Sequence, residues 1–233
     1  ALCKLEEANA WDRVEQALAK GFQHLAIANP GLMIPDLTVL LVLGDPSNEH
    51  FMDEIRGLSA FGGISGYIAI TIWPTEEVLH RLEAIALHEL HHNVRYSPDG
   101  IVWNPQTVTV SEHIVAEGLA DLFAAQFYGQ RGYTHFVTDQ TRSREDVLKR
   151  VVEGLNVTGM QDFAAWVLGD SSARLMGSKP VGLPTGAGYA AGARIAQAYM
   201  DKTGRTAAEC VTTPAAEILN VALPQLGLTR HDS

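Results

Sequence analysis

The feature that most constrains this 233-residue chain is the run His88-Glu89-Leu90-His91-His92, which contains the pattern H-E-x-x-H. In a helix, His88 and His92 lie on one face, about one turn apart. Two neutral imidazoles placed in this way can occupy two corners of a zinc tetrahedron. Glu89 is then positioned to act as a base on water at the metal instead of binding the metal. His91 lies three residues after His88 and competes with His92 as a ligand.

A histidine-rich polar helix end is the alternative interpretation of this run. The residues around Glu89 argue against it, because Ile85, Ala86, Leu87 and Leu90 are all apolar. A charged Glu89 at that depth needs a strong partner such as a cation. The sequence therefore favours a metal site.

Charge and composition narrow the class of protein. The formal net charge is −10, which argues against nucleic acid as a partner. The two cysteines, Cys3 and Cys210, lie far apart in the sequence, so neither a disulfide framework nor a cysteine metal site is expected. No apolar run approaches the length of a membrane span. The chain begins at Ala1 without a basic and apolar leader, so we expect a cytoplasmic protein unless an export signal has been removed.

Apolar periodicity and turn residues predict a mixed α and β chain. We expect helices at residues 8–28, 49–56, 75–93, 110–128, 143–155, 161–168, 187–202 and 214–219, strands at 37–43 and 67–73, a glycine-rich turn at 61–66, and a frayed tail from Gly227. An ordinary half-buried strand after a glycine turn is the favoured interpretation of residues 67–73, and the alternative is a strand that presents an open edge to an extended peptide. The length is compatible with a single catalytic domain over 1–233, with an α/β part at 1–93 and a mainly helical part at 94–233.

A catalytic zinc ion with two histidine ligands needs one more protein ligand. The metzincin continuation x-x-G-x-x-H is absent after His92, so the ligand must come from elsewhere, and both Glu112 and Glu117 lie in the plausible range. Glu117 is favoured because Asp121 follows it by one turn, and a second carboxylate there can accept the free ring N–H of a ligand histidine. Glu112 lies in the first turn of its helix, where a carboxylate is favourable without any metal. His113 shares the Glu117 face and either lines a cleft or lies at the surface.

The pairing of H-E-x-x-H with E-x-x-x-D resembles the gluzincin metallopeptidases. More narrowly, residues 88–95 (HELHHNVR), residues 116–121 (AEGLAD) and the Gly188-Tyr189-x-x-Gly192 stretch resemble a bacterial family of predicted zinc-dependent proteases whose domain is of unknown function. The resemblance covers residues 62–199, and only the two metal motifs are specific. It implies an α+β, zincin-like (gluzincin) catalytic domain with a small mixed N-terminal sheet, an active-site helix and a mostly helical C-terminal half. It also implies peptidase activity.

These observations together predict a zinc metallopeptidase with one catalytic Zn²⁺ ion. The expected metal ligands are His88, His92 and Glu117. Glu89 is the expected general base, and Asp121 is expected to orient a ligand histidine, which by the gluzincin resemblance is His88.

Tyr189 is the candidate donor to the oxyanion that forms during hydrolysis, because it lies on a glycine-flanked helix of the C-terminal half. Packing against that helix is the alternative role for this tyrosine. The expected partner is a peptide or protein substrate, and the sequence leaves the oligomeric state open. Two other functions fit the same motifs, namely a zinc hydrolase of a non-peptide amide and a zinc-binding sensor module without turnover. The presence of Glu89 weighs against the sensor, because a structural zinc site needs no base.

Overall fold

The computed structural model describes residues 1–33 and 36–229. It is a mixed α and β structure with a small sheet, as predicted, and it divides into two compact units. The first unit comprises Ala1–Ile101 and Phe123–Phe136, and the second comprises Val102–Leu122 and Val137–Ser233. The tail expected to fray from Gly227 falls mainly on residues 230–233, which lie outside the described residues.

The first unit contains the sheet and the helix that carries H-E-x-x-H. Its elements are α1 (Leu2–Glu7), α2 (Ala10–Ala28), β1 (Thr38–Leu43), a π-helical turn (His50–Glu54), β2 (Leu58–Ile64), β3 (Tyr67–Ile72), α3 (Glu76–His80), α4 (Leu82–Arg95) and a 3₁₀ turn (Gly129–Gly132). One face of the sheet is buried because Ile68, Ile70 and Ile72 alternate along β3 toward the interior.

The strand order among the described residues is β1-β3-β2. β3 pairs in parallel with β1 and antiparallel with β2, which has an irregularity between Phe61 and Ile64. β3 is the central strand and both its edges are paired, so residues 67–73 form an ordinary half-buried strand and do not present the open edge that was considered as an alternative. The glycine-rich stretch at 61–66, interpreted as a turn, instead belongs largely to the edge strand β2.

The helix predicted over residues 75–93 is interrupted at Arg81, whose backbone leaves the helical region with φ −108° and ψ 1°. Thr75 caps the N-terminus of α3, and its hydroxyl accepts a hydrogen bond from the Val78 N–H at 3.2 Å. α4 then packs against α2 and β2. All residues of α4 from Ala86 to Arg95 are buried, so this helix presents its polar side chains to the protein interior.

The second unit is mainly helical. Helix α5 (Val110–Tyr128) supplies residues to both units, and the second unit otherwise contains α6 (Asp139–Ser143), α7 (Glu145–Glu153), a π-helical turn (Ala164–Leu168), α8 (Asp170–Leu175), α9 (Ala187–Thr203) and α10 (Ala215–Gln225). α9 packs against α7 and α10. Both cysteines are free thiols, and Cys3 is exposed whereas Cys210 is buried. Within the described part of the chain, no helix has the length and apolar character needed to span a membrane.

Candidate metal centre

The two outer histidines of the H-E-x-x-H motif point their ring nitrogens at a common position. Their Nε2 atoms are 3.0 Å apart, and the two rings meet edge to face with centroids separated by 4.7 Å. Both residues are buried, with 4% of His88 and 7% of His92 exposed. The spacing of four residues along α4 produces this convergence, because side chains at i and i+4 lie one above the other on a helix.

Glu117 on α5 completes a group of three possible metal ligands. One ligand atom from each of His88, His92 and Glu117 lies within 4.8 Å of the others. In the described ranges 1–33 and 36–229, no other set of three or more His, Cys, Asp or Glu side chains has this spacing. Glu112 is not in the group. His91 is also outside it, and its ring packs against Phe123 at a centroid distance of 5.5 Å.

Glu89 lies directly beneath the edge strand β2. It is buried, with 4% exposed. A Cβ atom placed on Gly62 would lie 2.3 Å from the backbone carbonyl oxygen of Glu89 and 3.0 Å from the side-chain Oε2 atom of the same residue. Only glycine permits the strand to approach the helix so closely. The glycine-rich segment therefore brings the backbone of β2 against the carboxylate proposed as the base.

Asn93, one residue after the motif, ties the same strand to α4. Its Nδ2 donates to the carbonyl oxygens of Gly62, Ile64 and Tyr67 at 3.1, 2.7 and 2.9 Å, and its Oδ1 accepts from the Gly66 N–H at 3.0 Å. Asn93 is completely buried. This side chain fixes the connection between β2 and β3 to the helix that carries the histidines. The sequence does not predict this role, because the partners of Asn93 lie 26 to 31 residues away in the chain.

The polar residues that flank Glu117 on α5 differ in their surroundings. Asp121, one turn later, is 2% exposed, and helical spacing places it on the same face as Glu117. His113, one turn earlier, lies between the rings of Trp103 and Phe163, with centroid distances of 6.4 and 4.6 Å. His113 is 8% exposed, so the surface position considered for it was wrong. An aromatic cluster thus borders Glu117 at the start of α5.

Two glycines bring α9 into backbone contact with α5 next to Glu117. A Cβ atom on Gly192 would lie 2.1 Å from the Ile114 carbonyl oxygen, and one on Gly118 would lie 2.1 Å from the Gly192 carbonyl carbon. Tyr189 is half-buried and lies three residues before Gly192, so both residues are on one side of α9. The glycines noted in the sequence pattern around Tyr189 therefore serve close helix packing.

Arg194 follows the Gly188-Tyr189-x-x-Gly192 stretch and Arg95 follows the H-E-x-x-H motif, and the two differ in their surroundings. Arg194 pairs with Glu145 on α7, and its Nη1 also donates to the Arg144 carbonyl oxygen at 3.5 Å. Arg95, at the end of α4, is completely buried.

An ion pair between Arg13 and Glu83, with two contacts of 2.7 Å, joins α2 to the first turn of α4. Burial would raise the pKa of Glu83, but the hydrogen bonds and charge of Arg13 outweigh it and hold that pKa below its ordinary value.

Comparison with known proteins identifies the class that these motifs define. Residues 10–220 match the family described as predicted Zn-dependent protease (DUF2268), and the chain belongs to that family. Among its relatives, the uncharacterized protein YjfC of Bacillus subtilis (strain 168) is 30% identical over 224 residues, which cover 94% of this chain and 72% of YjfC. No solved structure matches the chain.

Proposed function

We propose that the chain is a zinc-dependent peptidase of the gluzincin type, in which His88, His92 and Glu117 hold one Zn²⁺ ion and Glu89 is the general base. The observation that carries the proposal is the convergence of three ligand atoms within 4.8 Å of one another, with a carboxylate on the residue next to His88. Membership of a family described as predicted Zn-dependent proteases supports the same reaction.

The geometry of the three side chains is compatible with zinc. Ligand bonds of 2.0–2.2 Å in a tetrahedral site imply ligand atoms about 3.3–3.6 Å apart. The distance of 3.0 Å between the Nε2 atoms of His88 and His92 is close to that range. The carboxylate of Glu117 lies within 4.8 Å of both imidazoles, so it needs to move by only about 1 Å to reach the distance expected around zinc. Two imidazoles and one carboxylate form a common ligand set of catalytic zinc sites, in which a fourth position stays open. When bound, the metal would lower the pKa of water and polarise the scissile carbonyl.

Glu89 provides the base that such a reaction needs. Its buried carboxylate takes the proton of the attacking water and passes it to the leaving amine. Asp121 accepts a hydrogen bond from the free ring N–H of a ligand histidine, for which we propose His88, and so fixes the tautomer that leaves Nε2 available. Tyr189 donates from its hydroxyl to the oxyanion of the tetrahedral intermediate. The close α5–α9 packing at Gly192 supports this role of Tyr189.

The edge strand β2 is our candidate for positioning the substrate backbone. It is an edge of the sheet in the described residues, and it contacts Glu89 at Gly62. An extended peptide that pairs with the outer edge of β2 would lie beside that carboxylate. The open edge that was considered for residues 67–73 is thus replaced by an edge on β2. Recognition through backbone hydrogen bonds favours a peptide over a non-peptide amide.

Replacement of Glu89 by Gln tests the proposal. We expect Glu89→Gln to retain zinc, measured by elemental analysis, and to lose hydrolysis of a fluorogenic peptide library by about 10²–10⁴-fold. Glu76→Gln, at an exposed glutamate on α3, is the matched control and should retain full activity. The parent should lose activity in a chelator and regain it with added Zn²⁺.

Three results would contradict the proposal. Full activity of Glu89→Gln would exclude Glu89 as the base. Unchanged zinc content in Glu117→Gln would exclude Glu117 as a ligand. A zinc-loaded parent that cleaves no peptide in the library would favour a sensor module or a hydrolase of another amide.

A further inference from the structure

β1 is the edge strand on the side of the sheet opposite β2, and it lacks the features that usually prevent an edge strand from pairing with another chain. Residues Thr38–Leu43 (TVLLVL) contain no charged residue and no proline. Their register with β3 runs without a bulge from the pair Thr38↔Tyr67 to the pair Leu43↔Ile72. Edge strands in natural proteins usually carry charges, prolines or bulges that prevent further pairing. β1 lacks these features and is open to pairing with another strand.

The backbone groups of alternate β1 residues face away from the sheet. The Thr38 N–H donates to the Gly66 carbonyl oxygen at 2.8 Å, and the Gly44 N–H donates to the Ile72 carbonyl oxygen at 2.9 Å. The backbone N–H and C=O groups of the even-numbered residues of β1 therefore point toward β3, and those of Val39, Leu41 and Leu43 point outward. Within residues 1–33 and 36–229, no hydrogen-bond partner covers these outward N–H and C=O groups. They form a template for one additional strand.

An apolar groove of about 430 Å³ lies between this edge and α2. It is lined by Trp11, Val14, Leu18, Ala19 and Phe22 of α2, and by Leu37, Val39 and Leu41 from β1 and the residue before it. Trp11 is 45% exposed. The helix therefore carries a second apolar face besides the one that packs on α4. Alternate side chains of an added strand would enter this groove.

The charges around the groove are acidic. Glu15 is part of the lining, and the exposed Asp12 and Asp36 are adjacent in sequence to lining residues. Among the described residues, no lysine or arginine lines the groove. The two basic residues adjacent in sequence to the lining are engaged elsewhere, because Arg13 pairs with Glu83 and Lys20 lies over the Phe127 ring. These charges oppose a second copy of the chain as the occupant. Pairing β1 with its own copy in antiparallel orientation would bring Asp36 near Asp45 of the copy, since these acids flank the strand. A strand with basic flanks is complementary to this surface.

We propose that β1 and the groove beside α2 bind an extended segment of a partner protein, with alternating apolar residues and basic flanks, which adds a fourth strand to the sheet. The outward backbone groups of β1 would supply the hydrogen bonds. The groove would select apolar side chains at every second position, and the acids would select the basic ends. This site is separate from the candidate metal centre, because it uses the opposite edge of the sheet.

A labelled peptide of the sequence Lys-Val-Thr-Val-Thr-Val-Lys tests the proposal, with fluorescence anisotropy as the readout. We expect saturable binding, and binding at least about tenfold weaker for a peptide with glutamate at both ends, because two charge pairs become repulsive. Ala19→Trp fills the groove and should abolish binding. Gln16→Trp adds the same ring at an exposed α2 position outside the lining and should leave affinity within about twofold.

Leu43→Pro is a second test that acts through the backbone, because Leu43 has an outward N–H and does not belong to the groove lining. It removes one outward N–H and leaves the bonds to β3, so we expect binding to weaken about tenfold. Circular dichroism and zinc content should match the parent in all variants. Absence of saturable binding up to about 1 mM peptide, or equal binding by Ala19→Trp and the parent, would overturn the proposal. A parent dimer that Ala19→Trp converts to a monomer would also overturn it, by identifying a second copy as the occupant.

Discussion

The contact between α5 and α9 allows a quantitative test through Gly192→Ala. The new Cβ atom would lie 2.1 Å from the Ile114 carbonyl oxygen, whereas ordinary carbon–oxygen contacts begin at about 3.3 Å. The helices must therefore separate by about 1.2 Å, because a backbone carbonyl cannot rotate aside as a side chain can. Overpacking of this kind costs about 1–3 kcal/mol. The higher helix propensity of alanine offsets about 1 kcal/mol of that cost.

We therefore expect Gly192→Ala to lower the free energy of unfolding by up to about 2 kcal/mol, which moves the urea midpoint by up to about 1 M for an m value of about 2 kcal/mol/M. Because Tyr189 lies one turn before Gly192, a shift of about 1 Å should also reduce peptide turnover by about 10²-fold. The control Gln197→Ala changes an exposed residue of α9 and should have little effect on either quantity. Gly118→Ala should reproduce the loss, and the double variant should cost less than the sum. A Gly192→Ala protein as stable and active as the parent would refute this explanation of how α9 is positioned.

Two further predictions concern the first unit. Asn93→Ala removes the side chain that bonds to four backbone groups between Gly62 and Tyr67. We expect this change to lower the free energy of unfolding by about 2–4 kcal/mol, measured by urea titration. A loss below about 0.5 kcal/mol would contradict this role of Asn93. Burial lowers the pKa of His135 to about 4 from 6.5, although a hydrogen bond with the Ile55 carbonyl oxygen opposes the shift. The unfolded chain therefore binds the proton first, and stability is lost as pH falls from 6.5 toward 4, by at most about 1.4 kcal/mol per pH unit. His135→Gln should flatten that profile when both proteins are measured in chelator, and parallel profiles would contradict the assignment.

The metal motifs were predictable because each depends on spacing within a single helix. His88 and His92 converge for the same reason that i and i+4 side chains share a face. Glu117 was preferred over Glu112 because of the carboxylate one turn later, and it is Glu117 whose carboxylate lies within 4.8 Å of both imidazoles. Local periodicity also identified the strands β1 and β3. Information of this kind is contained in a window of a few residues.

Pairing between distant segments was not predictable in the same way. Gly62 and Gly63 made β2 resemble a turn, since glycine has low strand propensity. The residues on both sides of these glycines, from Leu58 to Phe61 and at Ile64, nevertheless pair with β3, and only that pairing makes β3 central and β2 an edge. The break at Arg81 was also missed, because the apolar spacing continues through it. Each error arose where tertiary contacts override a local preference.

Three glycines near the motifs determine how closely the neighbouring backbone approaches the candidate site. Within the first unit, Gly62 allows β2 to contact Glu89, and within the second, Gly118 and Gly192 allow α9 to contact α5 beside Glu117. None of the three has the left-handed backbone that would explain a glycine by conformation alone. Glycine is therefore required at these positions for steric reasons, and each absent side chain lets a backbone segment approach a residue of the candidate site. Alanine at any of the three should therefore impair hydrolysis more than zinc binding, because the proposed ligands His88, His92 and Glu117 all remain present.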